Sequence, residues 1–124
     1  MKKFIFTTRV YYSDTDCEGV MYHTNYLKYM EHARTEWMFA SCKDVCFAVC
    51  AAELKFLRPA RLLDTLEITC NVIKLGKASM EIEHVVRNKD VICCKGIVKL
   101  ACVSKKLKPC VIPQELLNDI RGTQ

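Results

Sequence analysis

The feature that most limits the folds open to this chain is a single long amphipathic helix. Between residues 24 and 40, apolar side chains recur at helical spacing on one face: Tyr26, Met30, Ala33, Trp37 and Ala40. Either Thr24 or Asn25 can cap the start of this helix. The pattern spans about sixteen residues and is the only long helical pattern in the chain, so its apolar stripe needs a sheet to cover it.

The rest of the chain is rich in strand-forming sequence. Residues 4–12 combine aromatic and β-branched types, and the stretch 45–104 has the pattern of successive strands. Alternating or apolar segments lie within that stretch at 66–72, 80–87 and 92–103. Polar reversals at 75–77 and 88–90 predict antiparallel neighbours, and residues 113–121 predict a short terminal helix. We therefore expect an α+β domain whose antiparallel sheet wraps around the helix.

Length and composition are those of one ordinary folded domain. The chain has 124 residues, of which 51% are hydrophobic and 27% charged, so we expect one domain over residues 1–124. No apolar run reaches about 18 residues, which predicts no membrane span. The apolar stretch near the start, residues 4–6, is too short for an export signal. We therefore expect the protein to stay in the cytoplasm.

The nine cysteines and the net charge of +5 exclude little by themselves. No C-x-x-C pair is present and only three histidines are available, so a zinc site is weakly supported. Reduced cysteine in apolar sequence behaves as a small hydrophobic residue, which favours a reducing compartment. The positive charge permits an anionic ligand, but there is no basic tract with interleaved aromatic residues, so we expect no nucleic-acid partner.

The segment from Tyr12 to Tyr26 has the residues best suited to chemistry. Asp16 and His23 supply a carboxylate and an imidazole immediately before the predicted helix start. The N–H groups of residues 22–25 are expected to be partly unpaired, and the helix dipole makes that end electropositive. Such a terminus can stabilise the oxyanion formed when a carbonyl is attacked. From these residues alone, a polar loop with helix-capping side chains is the preferred interpretation.

A longer motif in the same region resembles a known family. The pattern V-Y-Y-x-D-T-D-x-x-G-V-x-Y-H-x-N-Y-L-K-Y-x-E-x-A-R-T-E-W runs from Val10 to Trp37, and a second similar patch covers 56–62 and Asp64. Together they resemble the 4-hydroxybenzoyl-CoA thioesterase-like hotdog proteins, most closely their Tol-Pal-associated acyl-CoA thioesterase branch. The resemblance implies one hotdog domain, with five antiparallel strands around the central helix. It also implies hydrolysis of an acyl-CoA thioester to the free acid and coenzyme A.

The resemblance also implies roles for particular residues. Asp16 would be the catalytic carboxylate, either as the nucleophile or as the general base for water, and His23 would assist it. Backbone N–H groups at the helix start, among Tyr22, Thr24 and Asn25, would bind the thioester oxygen. Because a thiolate is a good leaving group, we expect no metal and no cofactor.

Two arginines in the second patch are candidates for binding coenzyme A. Arg58 and Arg61 flank a proline at a predicted strand end, and the guanidinium group suits multidentate phosphate binding. A plain surface charge is an equally open interpretation of both residues.

Other ionisable residues are predicted to be structural. Asp14 is expected to be a turn or capping residue. Another hotdog branch uses a helix glutamate in catalysis, but here Glu31 is expected to form a salt bridge with Arg34 or Lys28. His84 falls on an apolar strand face and is expected to be a hydrogen-bonded core histidine.

By resemblance we expect a homodimer, and further a dimer of dimers. The apolar run 45–52 fits a strand buried on both sides in such an assembly. The acyl carrier can be coenzyme A or an acyl-carrier protein. Two rival functions stay open, a hotdog dehydratase or hydratase and a non-catalytic acyl-CoA-binding or scaffold protein. The stretch 37–59 is shorter than in many relatives, so the sequence leaves the acyl preference open.

Overall fold

The computed structural model describes residues 3–42 and 44–122. Its strands and helices, in chain order, are β1 (Lys3–Arg9), α1 (Asn25–Met38), β2 (Val45–Phe56), β3 (Thr65–Leu75), β4 (Ser79–Asn88), β5 (Val91–Ser104) and α2 (Gln114–Arg121). Two single 3₁₀ turns lie at Tyr12–Asp14 and Phe39–Ser41.

The five strands form one antiparallel sheet in the order β1-β3-β4-β5-β2. Strands β3, β4 and β5 follow one another through tight reversals at the positions that the sequence predicted. Alternate side chains of β3 and β4 are buried, as their period of two requires: Leu66, Ile68, Cys70, Val72, Met80, Ile82, His84 and Val86. The predicted hotdog architecture is confirmed, and it leaves β1 and β2 as the two edges of the sheet.

Helix α1 packs its apolar stripe against this sheet. Tyr26, Met30 and Ala33 are buried, as predicted. The predicted helix was slightly too long, because α1 ends at Met38 and Ala40 is exposed in the 3₁₀ turn that follows. A 3₁₀ turn has three residues per turn instead of 3.6, so it rotates the last residues away from the apolar face. The predicted side-chain cap was also wrong, since the Thr24 side chain makes no capping hydrogen bond.

A close approach between α1 and β5 occurs at Gly96. A Cβ added there would lie 2.9 Å from Met30 Cε and 3.2 Å from Leu54 Cγ. Any larger residue at this position would therefore have to displace the Met30 side chain that fills the space above the sheet.

The C-terminal helix adds residues to the hydrophobic core. Helix α2 buries Leu116 and Ile120, which confirms the predicted terminal helix, and Gly122 ends it in the left-handed conformation with φ 73°. None of the helices in residues 3–42 and 44–122 is long and apolar enough to cross a membrane.

Candidate active site

The predicted chemical segment folds into a tight hairpin between β1 and α1. The Asp16 N–H donates to Val20 O at 2.9 Å, and the Gly19 N–H donates back to Asp16 O at 3.1 Å. Gly19 has a φ of 78°, a conformation that residues with a Cβ rarely adopt. The glycine of the motif therefore allows the sharp reversal that places Asp16 at the base of the hairpin.

The Asp16 carboxylate is half-buried and held by its own backbone. Its Oδ1 accepts the Glu18 N–H at 2.9 Å, which is the geometry of an Asx turn. The other oxygen, Oδ2, accepts no hydrogen bond from any residue that the structure describes. The carboxylate is thus fixed in orientation and keeps one oxygen available to a substrate or a water molecule.

His23 lies on the surface and is positioned by aromatic rings. Its ring centroid is 4.7 Å from that of Tyr22 and 6.1 Å from that of Phe56, the last residue of β2. Within the described residues, His23 forms neither a hydrogen bond nor an ion pair with Asp16. Any assistance to Asp16 would therefore act through a water molecule or through the substrate.

The amides at the start of α1 divide into two pairs. The Tyr22 N–H donates to Asp14 O at 2.8 Å, and the Asn25 N–H donates to Tyr22 O at 2.9 Å. The Asn25 side chain also donates to Asp14 O at 2.8 Å. By contrast, the N–H groups of His23 and Thr24 donate to no acceptor within the described ranges. The free donors are therefore those of residues 23 and 24, half of the four N–H groups in the predicted range 22–25.

Asp14, two residues before Asp16, anchors this loop to the helix. Its side chain is only 3% exposed and accepts hydrogen bonds from the Tyr29 hydroxyl at 2.5 Å, Lys28 Nζ at 2.9 Å and the Tyr11 N–H at 3.0 Å. Burial by itself would raise the pKa of Asp14, but the hydrogen bonds outweigh it and hold the pKa below its ordinary value. Asp14 is thus a buried anchor, which agrees with its predicted structural use.

The participation of Lys28 and Tyr29 was not predicted from the sequence. Their spacing on α1 places them on the side of the helix toward the loop, but no local pattern shows that a buried carboxylate lies opposite. Because burial and the Asp14 contact raise the pKa of Tyr29, its hydroxyl stays protonated and keeps donating.

Arg61 and Arg58 lie on the segment after β2, at different distances from the hairpin. Arg61 pairs with Val20 in an isolated bridge, which places it directly beside the hairpin. The Arg58 N–H donates to Cys93 O at 3.1 Å, which ties that residue to β5. Both side chains are exposed, and neither forms an ion pair with another described residue.

The salt bridge predicted for Glu31 is wrong. Lys28 pairs with Asp14 instead, and Arg34 turns into the core. Glu31 accepts a hydrogen bond from Thr35 Oγ1 at 3.2 Å and lies 3.9 Å from the His32 ring. The error arose because helical spacing identifies neighbours on the helix but not the better partners that the loop and the sheet supply.

The match to known proteins agrees with this geometry. Residues 18–95 match the family model described as the thioesterase superfamily. The chain belongs to the thioesterase superfamily. The match covers His23, Arg58 and Arg61 and begins two residues after Asp16.

Individual known proteins align over nearly the whole chain. The acyl-CoA thioesterase YbgC of Haemophilus influenzae is 32% identical over 91% of this chain and 90% of its own length. The acyl-CoA thioester hydrolase YbgC of Escherichia coli is 30% identical over 95% and 96%. A crystal structure from Aquifex aeolicus superposes with a TM-score of 0.86 at 25% identity, over 94% of this chain and 98% of that one. These matches confirm the resemblance that the motif indicated.

Proposed function

We propose that this thioesterase hydrolyses acyl-CoA thioesters to the free acid and coenzyme A. The observation that supports this most directly is the Asp16 carboxylate, which its own turn orients and whose second oxygen accepts no hydrogen bond from any described residue. It lies in the same loop as the two unpaired amides of His23 and Thr24 at the start of α1. A carboxylate and an oxyanion site are the two groups that thioester hydrolysis needs.

Asp16 can act in either of two ways. As a nucleophile, it attacks the thioester carbon, the C–S bond breaks, the thiolate leaves, and water then hydrolyses the mixed anhydride. As a general base, it takes a proton from water, which attacks the same carbon. In both routes the amides of His23 and Thr24 would stabilise the oxyanion. Labelling of the Asp16 carboxyl group after a single turnover in ¹⁸O-water would establish the nucleophilic route, because ¹⁸O reaches that group only when water attacks the Asp16 carbonyl carbon of the mixed anhydride.

Replacement of Asp16 by Asn tests the proposal. We expect Asp16→Asn to lower the rate of thiol release by at least about 10²-fold, because Asn neither attacks nor accepts a proton, while the fold is retained. Asp90→Asn is the matched control, because Asp90 is exposed in the turn between β4 and β5 and forms no ion pair with another described residue.

Full activity of the Asp16 variant would overturn its assignment. Binding of acyl-CoA without thiol release by the unaltered protein would instead favour the non-catalytic acyl-CoA-binding function.

We further propose that the protein forms a homodimer through β2. This strand is twelve residues long, forms one edge of the sheet and is exposed on both faces for most of its length, with Val49 54% exposed. A long, exposed apolar edge with unpaired backbone groups readily pairs with another strand. A second β2, paired antiparallel about a two-fold axis, would cover it.

Light scattering on wild type and on Val49→Lys tests this assembly. We expect a dimer or a tetramer for wild type and a shift to monomer for the variant, because a charged side chain on the exposed strand opposes pairing. A monomeric wild type would exclude the homodimer.

Three finer predictions accompany the proposal. The same scattering experiment tests whether two dimers assemble into a tetramer. Parallel assays with an acyl group on coenzyme A and on acyl-carrier protein show which carrier the enzyme accepts. The cytoplasmic location requires fractionation of the source cells.

A further inference from the structure

A buried arginine on α1 takes no part in the chemistry above. Arg34 is only 7% exposed, and its Nη1 donates to His84 Nε2 at 3.0 Å. The His84 Nδ1–H in turn donates to Thr69 O at 3.1 Å, which makes His84 the hydrogen-bonded core histidine predicted from the sequence. The remaining guanidinium nitrogens of Arg34 donate to no other described residue.

Among the residues that the structure describes, no group neutralises the charge of Arg34. Burial, together with the nearby guanidinium, lowers the pKa of His84 to about 3, so the ring is neutral. Burial raises the pKa of the Cys70 thiol to about 12, so that group is neutral as well. Glu31 is the one carboxylate that favours the charged guanidinium, but it is exposed and forms no ion pair with it. A buried charge without a paired anion is costly, and burial accordingly lowers the pKa of the Arg34 guanidinium.

Arg34 faces a groove that is otherwise largely apolar. The groove has a volume of about 320 Å³ and lies between the second half of α1 and the first half of β2. Its walls include Met38, Cys42, Val45, Phe47 and Val49, and Glu31 lies at the rim. It therefore combines an apolar channel with one cationic group.

Pairing through β2 would bring this groove to the active site of the second subunit. If the two strands overlap over their whole length, Val45 of one protomer lies opposite Phe56 of the partner subunit. Val45 lines the groove, whereas Phe56 contacts His23, close to the hairpin that contains Asp16. An acyl group attached at one subunit's site would then extend into the groove of the other.

We propose that Arg34 binds a carboxylate at the far end of the acyl group, so that the preferred substrates are acyl-CoA thioesters of dicarboxylic acids. The proposal rests on the thioesterase function and on the β2 dimer. An anionic terminus would supply the charge partner that Arg34 lacks in the protein, and the apolar walls would contact the methylene chain.

The test compares acyl groups that have equal length and differ only at the terminus. Thiol release is measured with adipoyl- and hexanoyl-CoA and with suberoyl- and octanoyl-CoA. The readout is the ratio of kcat/KM for each carboxylated substrate to that of its neutral partner. We expect wild type to favour the carboxylated member and Arg34→Gln, which keeps a donor for His84 but has no charge, to lower the ratio by about 10- to 100-fold.

Three further variants separate charge recognition from a structural effect. Arg34→Lys should retain part of the preference, because it keeps the charge. Glu31→Gln should increase the preference, because it removes a like charge at the rim. Arg121→Met, which removes an exposed charge at the end of α2, should leave the ratio unchanged. A ratio that falls equally in Arg121→Met and Arg34→Gln would overturn the inference.

The outcomes distinguish the two levels of proposal. No hydrolysis of any pair refutes the thioesterase function itself. Hydrolysis with wild-type preference for the neutral substrates, or equal effects of Arg34→Gln on both members of a pair, refutes only the role of Arg34.

Co-expression of the Asp16→Asn and Arg34→Gln variants tests whether Asp16 and Arg34 of different subunits form one site. Random pairing makes half of the dimers heterodimers, and one of the two sites in each heterodimer then has both residues, so about a quarter of all sites should be intact. No restoration would contradict the placement of Arg34 in the partner's site.

Discussion

Replacement of Tyr29 by Phe should show how strongly the buried Asp14 network stabilises the fold. The change removes the hydroxyl that donates to Asp14 Oδ2 at 2.5 Å and keeps the ring. A buried hydrogen bond to a charged group contributes about 1.5–3 kcal/mol. Lys28 and the Tyr11 N–H still donate to Asp14, so we expect a loss of about 2 kcal/mol in the free energy of unfolding at pH 7.

The pH dependence of this loss follows from the direction of the Asp14 pKa. The contacts depress the pKa in the folded state, so their contribution is fully present above the unfolded pKa of about 3.9 and declines as the pH falls toward the folded pKa. Loss of the Tyr29 hydroxyl raises the pKa of Asp14 in the folded state, so as the pH falls Asp14 is protonated at a higher pH in the variant than in wild type. The difference between wild type and variant should therefore shrink below about pH 4.

Tyr26→Phe is a matched control on the same helix. Tyr26 is also buried, but its hydroxyl accepts the Ala60 N–H at 3.1 Å and contacts no carboxylate. Loss of the Tyr26 hydroxyl should lower the free energy of unfolding by about 1–2 kcal/mol at every pH. Urea unfolding of the three proteins between pH 7 and pH 3 measures both effects. A Tyr29→Phe loss that stays constant across this range, or one below about 0.5 kcal/mol at pH 7, would refute the argument.

Two other predictions concern packing and the thiols. Gly96→Ala should lower the free energy of unfolding by about 1 kcal/mol, measured in urea. This is at the low end for overpacking, because the flexible end of the Met30 side chain can shift. An unchanged urea midpoint would contradict the close approach. Cys17, Cys46 and Cys50 are exposed in the single chain, and pairing through β2 would protect the last two. A thiol reagent should then modify one cysteine rapidly in wild type and three in a monomeric variant, and three rapid thiols in a protein that scatters as a dimer would place the interface elsewhere.

The sequence by itself determined the order and type of the elements. The helical spacing of Tyr26, Met30 and Ala33 and the period of two in 66–72 and 80–87 follow from local geometry, so they could be read without a structure. The burial of His84 followed in the same way from its place in the alternation. The motif from Val10 to Trp37 supplied the family, because it specifies many residue types at fixed positions.

Only the tertiary structure decided which groups meet. Asp14 and Asp16 are the same residue type, two positions apart in one loop. Yet Asp14 is buried against Lys28 and Tyr29, whereas Asp16 lies in a turn with one oxygen that accepts no hydrogen bond from the described residues. The amides left unpaired at the helix start and the uncompensated charge of Arg34 are likewise invisible in the sequence. The physical reason is that periodicity is a local property, whereas hydrogen-bond partners and desolvation depend on contacts between segments that are distant in the chain.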